Sequence, residues 1–266
     1  MGAFKMRGAT NAILQLSQED QKKGVVTHSS GNFAQALSLA AKSLGITAYI
    51  VMPSSAPQVK KDAVKTYGGI IIECPPTLKN REETAQKIVE EKGATFVHPS
   101  NDIEVILGQG TAALELLQKQ PHLDLVITPI GGGGLIGGTA LAVNLFAKSA
   151  KTIGAEPFEV DDAYRSLISG TIETNQSTNT IADGLKTQLG DQNFPIIQKH
   201  VEEIIRVTEE EIKNALKLIW ERMKIIVEPS SAVALAAVLK EPAKFKNKQI
   251  GVIISGGNVD FNQIQL

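Results

Sequence analysis

Short apolar runs alternate with helical patterns along most of the chain. VVTH (25–28) reads as a buried strand, and FAQALSLAAKSLG then repeats apolar residues at helical spacing until Gly45 stops it. ITAYIVMP is the next strand, APQVKKDAVKTYG a helix closed at Gly68, and IIIEC a strand. NREETAQKIVEEKG predicts a helix with an Asn80–Glu83 capping pattern and a stop at Gly93. ATFVHP, DLVITPI, KTIGAEP and QIGVIIS read as further strands. Between them lie the helical patterns EVILGQGTAALELLQKQ and GLIGGTALAVNLFAKSA, a helix opened by Thr208 and Glu211, and one near Ser231 to Leu239. A small-residue helix follows Lys5, and IETNQSTNTIADG is polar enough to be a long loop.

Strands separated by helices predict parallel sheets covered on both faces, an α/β fold. Two doubly wound open-sheet domains are expected: a small one over 24–100, and a large one from 1–23 and 101–266. In such folds ligands bind beyond the carboxyl ends of strands, so residues that follow strands are the informative ones.

Three strand-end loops stand out. SSGN (29–32) places two hydroxyls and an amide before a helix, which is an anion site in principle and an ordinary polar turn otherwise. GGGG (131–134) lets a backbone approach a ligand phosphate closely. SGGN (255–258) is a third glycine turn after a strand. A rival reading uses Gly132, Gly134 and Gly137 as a dinucleotide fingerprint, with Glu156 about 20 residues on as the ribose-binding acid. That reading leaves Lys5, SSGN and SGGN without a role. No Gly-Lys-Ser/Thr follows the glycines, which excludes a P-loop.

Lys5 changes the picture. It stands between Phe4 and Met6, with Arg7 beyond. A Schiff-base lysine must lose its proton, and apolar neighbours or a nearby cation favour that. An amine together with a phosphate loop suggests an aldehyde cofactor, and pyridoxal phosphate meets that need.

Composition narrows the class. The 266 residues are 42% hydrophobic and 21% charged, enough for a full core. Lys plus Arg is 27 and Asp plus Glu 28, so no basic surface invites nucleic acid or an anionic membrane. The one cysteine, Cys74, cannot form an internal disulfide, in keeping with a reducing, cytoplasmic setting. No run of about 18 apolar residues suggests a membrane span.

AFKMRGA resembles the pyridoxal-lysine motif of the fold-type II pyridoxal-phosphate enzymes, of the tryptophan synthase β-like kind. SSGN, GGGG and SGGN follow in that family's order, and IADGLK, WERMK and VEPSSA are similar to its serine racemase and threonine dehydratase branch. The resemblance runs from Phe4 to about Asp260. It implies that Lys5 bonds the cofactor and moves the α-proton on one face, with Ser30 the acid or base on the other. It also implies that Asn32 meets the phenolic oxygen, that Gly131, Gly132, Gly133, Gly134 and Leu135 offer N–H groups to the phosphate, and that Ser255 faces the pyridine nitrogen. Ser29, Asn32 and Arg81 are its candidates for the substrate carboxylate, although Arg81 also fits a solvated first-turn arginine. Glu156 and Asp162, with the Val160 carbonyl, match its metal ligands, and Mg²⁺, Ca²⁺ or Mn²⁺ would suit such oxygen donors.

The activities implied are serine racemisation and β-elimination to pyruvate and ammonia, with a catabolic threonine or serine dehydratase as alternative. A homodimer and an ATP effector belong to the same expectation. The family places several dozen residues before the lysine motif, so an inactive remnant is a further reading. Phe33 stands where the family often has histidine, and Ser100 and Asn101 occupy a variable stretch that could tune substrate fit. His28 and His98 read as structural.

Overall fold

The computed structural model describes residues 1–147 and 149–260. It contains twelve α-helices: α1 (Lys5–Gln15), α2 (Gln18–Lys23), α3 (Asn32–Ser43), α4 (Gln58–Thr66), α5 (Leu78–Lys92), α6 (Ile103–Lys119), α7 (Gly134–Phe146), α8 (Asp162–Ser169), α9 (Phe194–His200), α10 (Glu209–Leu218), α11 (Pro229–Lys240) and α12 (Pro242–Phe245) among the described residues. Eight strands accompany them among the described residues: β1 (Val25–His28), β2 (Ala48–Pro53), β3 (Ile70–Cys74), β4 (Thr95–Phe96), β5 (Leu125–Pro129), β6 (Lys151–Pro157), β7 (Val201–Val207) and β8 (Ile250–Val252). The chain divides into two units, one of Met1 and Ala3–Gly108, the other of Gly2 and the residues from Gln109 on. The predicted helix GLIGGTALAVNLFAKSA ends at Phe146; its Lys148, like residues 261–266 of the predicted large domain, lies outside the described residues.

The first unit holds a parallel sheet in the order β3-β2-β1-β4. Successive strand residues serve opposite layers, as the period of two requires. Val25 and Ile50 pack with α1, α3 and α4, whereas Val26 and Val51 pack with Ala85 and Ile88 of α5. Each fully buried aliphatic side chain of this kind contributes about 1.5–3 kcal/mol. Small residues let α1 lie against α3: Gly8, Ala9 and Ala12 on one, Ala34, Ala36 and Ala40 on the other, are buried.

The second unit holds a parallel sheet in the order β7-β6-β5-β8. Ile127, Ile153 and Ile205 join the layer of α10, α11 and α12, and Ile204 joins that of α7, α8 and α9. Both sheets are therefore doubly wound, as the alternation predicts.

Three details depart from the sequence reading. The cap of α5 is Thr77, whose hydroxyl accepts from the Asn80 amide at 3.1 Å, so the helix starts at Leu78 and not at Asn80. The α2 helix buries no side chain and has no apolar stripe to read. Ser17 caps it, with Glu19 and Asp20 in its first turn and Lys22 and Lys23 in its last, so capping and the helix dipole support it. β7, VEEIIRV, carries outward acids that hide its strand pattern; it is an edge strand, where charges discourage pairing with another chain. By contrast α10 opens with the expected capping box of Thr208 and Glu211.

Candidate active site

Lys5 is the first residue of α1 and is half-buried. Its Nζ donates to the Pro99 carbonyl at 2.8 Å. The rings of Phe4 and Phe33 lie 4.9 and 5.8 Å from that nitrogen. The Pro99 loop is itself pinned: His98 Nδ1 accepts from the amides of Ser100 at 3.2 Å and Asn101 at 2.8 Å. His98 thus has the structural task expected of it, and the contact shows what it pins.

SSGN lies in the same unit, between β1 and α3. The Ser29 hydroxyl accepts from the Gly31 amide at 3.4 Å, folding the loop on itself. The cap of α3 is Gly31, not a serine or asparagine, so no capping side chain covers that helix N-terminus. Gly31 has φ −114° and a Cβ there would meet nothing within 4 Å, so the turn itself does not demand glycine. Open space around the loop is the more informative feature. Arg81, in the first turn of α5, is half-buried. Burial pushes the neighbouring His28 imidazole below its ordinary pKa, and the Arg81 charge adds to that shift. Arg81 therefore acts on the strand end that leads into Ser29.

In the second unit, GGGG joins β5 to α7. Gly133 adopts φ +81°, and a Cβ there would lie 2.5 Å from Asn193 Oδ1. At Gly131 it would lie 2.9 Å from the Leu185 Cα. The loop thus presses against its support while its amides and the α7 N-terminus stay bare of side chains, the arrangement that suits an anion. Asn193 is the support: it is fully buried, donates to the Gly132 carbonyl at 2.9 Å and accepts from the Gly190 amide at 3.1 Å. Sequence reading missed it, because its partner lies sixty-one positions away. Gly133→Ala is expected to lower stability by about 1–3 kcal/mol, the range for an enforced left-handed residue. A urea titration checks this, and the variant's cofactor content should fall with it.

Ser255 follows β8 and is buried. Its hydroxyl lies 2.9 Å from that of Ser231, which bonds the Gly256 carbonyl and amide at 2.7 Å each. Ser231, in the VEPSSA motif, is thus a positioning residue for Ser255 that motif matching alone did not single out.

Glu156 ends β6 and is fully buried. Its oxygens accept from the Ala163 amide at 3.2 Å and the Tyr164 amide at 2.9 Å. Desolvation and the charge of Asp162 push its pKa well up. Such a carboxylate is turned into the protein, so the ribose contact of the dinucleotide reading is not available from it. Asp162 is also fully buried; burial raises its pKa to about 6, against the hydrogen bond from the Leu189 amide at 3.1 Å. Its Oδ1 meets no partner among the described residues. Asp161, between Val160 and Asp162, accepts from Arg165 at 2.8 Å and Arg206 at 2.7 Å. Burial opposes the Asp161 charge, but these two hydrogen bonds outweigh it and hold the carboxyl below its ordinary value.

The family model for "Pyridoxal-phosphate dependent enzyme" matches residues 1–256. The chain belongs to the pyridoxal-phosphate-dependent enzymes. Among relatives of this family, the serine racemase of Dictyostelium discoideum is 51% identical over 267 residues, which are 99% of this chain and 82% of that protein. Its crystal structure superposes with a TM-score of 0.93 over 98% of this chain and 84% of the other. The β-hydroxyaspartate dehydratase of Paracoccus denitrificans (strain Pd 1222) is 50% identical over 263 residues, covering 99% and 84% of the two chains. The crystal structure of a threonine deaminase from T.th. is 41% identical in sequence, with a TM-score of 0.91 over 98% of this chain and 84% of the other.

The residues present fit pyridoxal phosphate. A glycine loop pressed so closely on its support that Gly131 and Gly133 admit no Cβ, with bare amides at a helix N-terminus, suits its phosphate; a half-buried amine near two aromatic rings suits its aldehyde, and a buried hydroxyl suits its ring nitrogen. The dinucleotide-dependent oxidoreductase reading of the same glycines falls with the family match.

Proposed function

We propose that this pyridoxal-phosphate enzyme racemises serine and also eliminates its β-hydroxyl, giving pyruvate and ammonia. The observation that carries this reading is the identity of 51% with a serine racemase over 99% of this chain. When bound, the cofactor supplies an aldehyde for amino groups and a ring that takes up the electron pair left at Cα.

In this reading the chain's own residues do the rest. Lys5 Nζ, set near the Phe4 and Phe33 rings, takes or returns the α-proton on one face. Ser30 Oγ does so on the other. Ser29, Asn32 and Arg81 hold the substrate carboxylate, with Asn32 also at the cofactor's phenolic oxygen. The amides of Gly131, Gly132, Gly133, Gly134 and Leu135 hold the phosphate. Ser255 faces the ring nitrogen; a hydroxyl neutralises a protonated ring less than a carboxylate does, so negative charge at Cα is short-lived. Return of the proton from the opposite side inverts serine, and loss of the β-hydroxyl commits it to pyruvate and ammonia.

The same proposal includes a divalent cation at Glu156, Val160 and Asp162, Mg²⁺ or else Ca²⁺ or Mn²⁺. Two buried carboxylates, one with an oxygen that meets no partner among the described residues, support it. An ATP effector and a homodimer rest on the resemblance, a cytoplasmic location on the single cysteine, and domains over 24–100 and the remainder on the alternation of strands and helices. Among the described residues, no helix is long and apolar enough to cross a membrane.

The similarity to a β-hydroxyaspartate dehydratase and a threonine deaminase favours a second reading, a dehydratase for another β-hydroxy amino acid. Purified holoenzyme offered L-serine, L-threonine and β-hydroxyaspartate in turn separates the two. Chiral chromatography should show D-serine, and a keto-acid assay pyruvate, with serine giving the highest kcat/KM. Keto acid from another substrate without any D-serine would overturn the racemase reading, and no turnover at all would favour the inactive remnant.

A further inference from the structure

A histidine nitrogen organises the turn that meets Lys5. β4 ends at Phe96, and the Val97 amide still donates to the Val26 carbonyl of β1 at 2.8 Å, so the sheet holds the chain up to that residue. At the far end Asp102 opens α6: its Oδ1 accepts from the Glu104 and Val105 amides at 2.8 and 3.1 Å. Residues 98–101 cross from one anchor to the other. Pro99 has no amide to give, and it disfavours a helical backbone at the residue before it. His98 Nδ1 spans the crossing by accepting from the amides of Ser100 and Asn101, and Ser100 is buried. The Pro99 carbonyl lies inside this turn, and Lys5 Nζ donates to it at 2.8 Å from ninety-four positions away.

The bonding is that of an asparagine or aspartate turn, in which a side-chain acceptor two bonds beyond Cβ takes up amides further along its own backbone. A ring nitrogen that accepts from amides carries no proton, so the neutral ring keeps its proton at Nε2. The ring has a second attachment. Its centroid lies 6.2 Å from that of Phe96 and 5.7 Å from that of His28, both edge-on. The two attachments are chemically separable: the first needs an acceptor at one point, the second needs a ring.

We propose that His98 is a positioning residue for Lys5: through the Pro99 turn it aims the amine at the cofactor's aldehyde and at the α-proton of the substrate. The second half of this inference rests on the serine reading given above; the first follows from the family alone. A lysine amine rides on four rotatable carbons, and a fixed acceptor selects among its positions. That acceptor is a backbone carbonyl, so its direction depends on the turn. Loss of the Nδ1 acceptor frees the peptides on either side of Ser100 and lets the Pro99 carbonyl swing. A misplacement of about 1 Å among reacting groups costs up to about 10²-fold in rate.

The test compares His98→Phe, which keeps a ring and loses the acceptor, with His98→Asn, which loses the ring and sets Oδ1 as many bonds from Cα as Nδ1. Full chain stripped of cofactor is mixed with pyridoxal phosphate, and borohydride added at intervals fixes what has bonded to the chain. His98→Phe should slow this capture by about 10–10²-fold, and His98→Asn should recover most of the loss. In holoenzyme, His98→Phe should lower kcat for L-serine elimination by a similar factor at little cost in KM. Elimination from D-serine, whose α-proton leaves on the Ser30 face, should fall less. A role in packing alone predicts the reverse order, with His98→Asn the more damaged. If His98→Phe does not fold, His98→Ala, which lacks ring and acceptor alike, takes its place against His98→Asn. Capture by His98→Phe or His98→Ala as fast as wild type, or no better by His98→Asn than by either, would overturn the inference. Equal losses from both serine enantiomers would overturn its proton-transfer half. Wild type that captures the cofactor but leaves serine untouched would sink the serine reading and leave the capture comparison to decide on His98.

Discussion

Lys5→Ala is expected to cut both racemisation and elimination by at least about 10³-fold, within the range for removing a proton-transferring group. Borohydride should also cease to fix the cofactor to the chain. The expectation follows from the surroundings of Nζ. The Pro99 carbonyl accepts from it at 2.8 Å, and the rings of Phe4 and Phe33 lie 4.9 and 5.8 Å away. An amine held in this way can act as nucleophile and base once it has given up its proton. Lys5→Arg separates the chemistry from the charge. Arginine keeps the cation but cannot lose its proton, so this variant should be as inactive as the alanine one. Substantial turnover by Lys5→Arg, measured by chiral chromatography, would show that the charge alone matters and would overturn the role given to Lys5.

Ser30→Ala is the second large effect, and its signature is asymmetric. Racemisation needs proton transfer on both faces of Cα, so it should fall about 10²–10⁴-fold in either direction. Elimination from L-serine needs the proton taken only on the Lys5 face and should survive far better. Elimination from D-serine, which needs the opposite face, should fall with racemisation. Rates of pyruvate release from the two enantiomers, set beside the rate of inversion, check all three. Equal losses for L-serine elimination and inversion would place Ser30 outside proton transfer, as a residue of binding alone.

Much of the fold is legible because its elements are local patterns. The runs VVTH, AYIVMP and LVITP are continuous and β-branched, since parallel strands are buried on both faces. Helices with an apolar stripe, such as α3, are visible for the same reason. Those held by caps and charges, such as α2, are not, and neither is the acid-bearing edge strand β7. The cap of α5 was misplaced because Asn80 and Thr77 both satisfy the local rule, and only the backbone decides between them.

The candidate chemistry divides in the same way. By itself the sequence determined the alternating α/β architecture, the lysine ahead of the first helix and the three strand-end loops, because each is a property of consecutive residues. Its motifs were enough to place the chain among pyridoxal-phosphate enzymes. Only the tertiary structure decided what each group touches: the Pro99 carbonyl for Lys5, ninety-four positions away, Asn193 beneath Gly132, Ser231 beside Ser255, and Arg165 tying Thr174 to Asp161. These contacts arise where separate strands and helices pack, and no periodicity records them. A polar loop such as 171–181 looks solvated in sequence, because polarity alone does not say whether water or protein lies opposite; packing set Arg165 against the Thr174 carbonyl and Ser166 against the Glu173 amide.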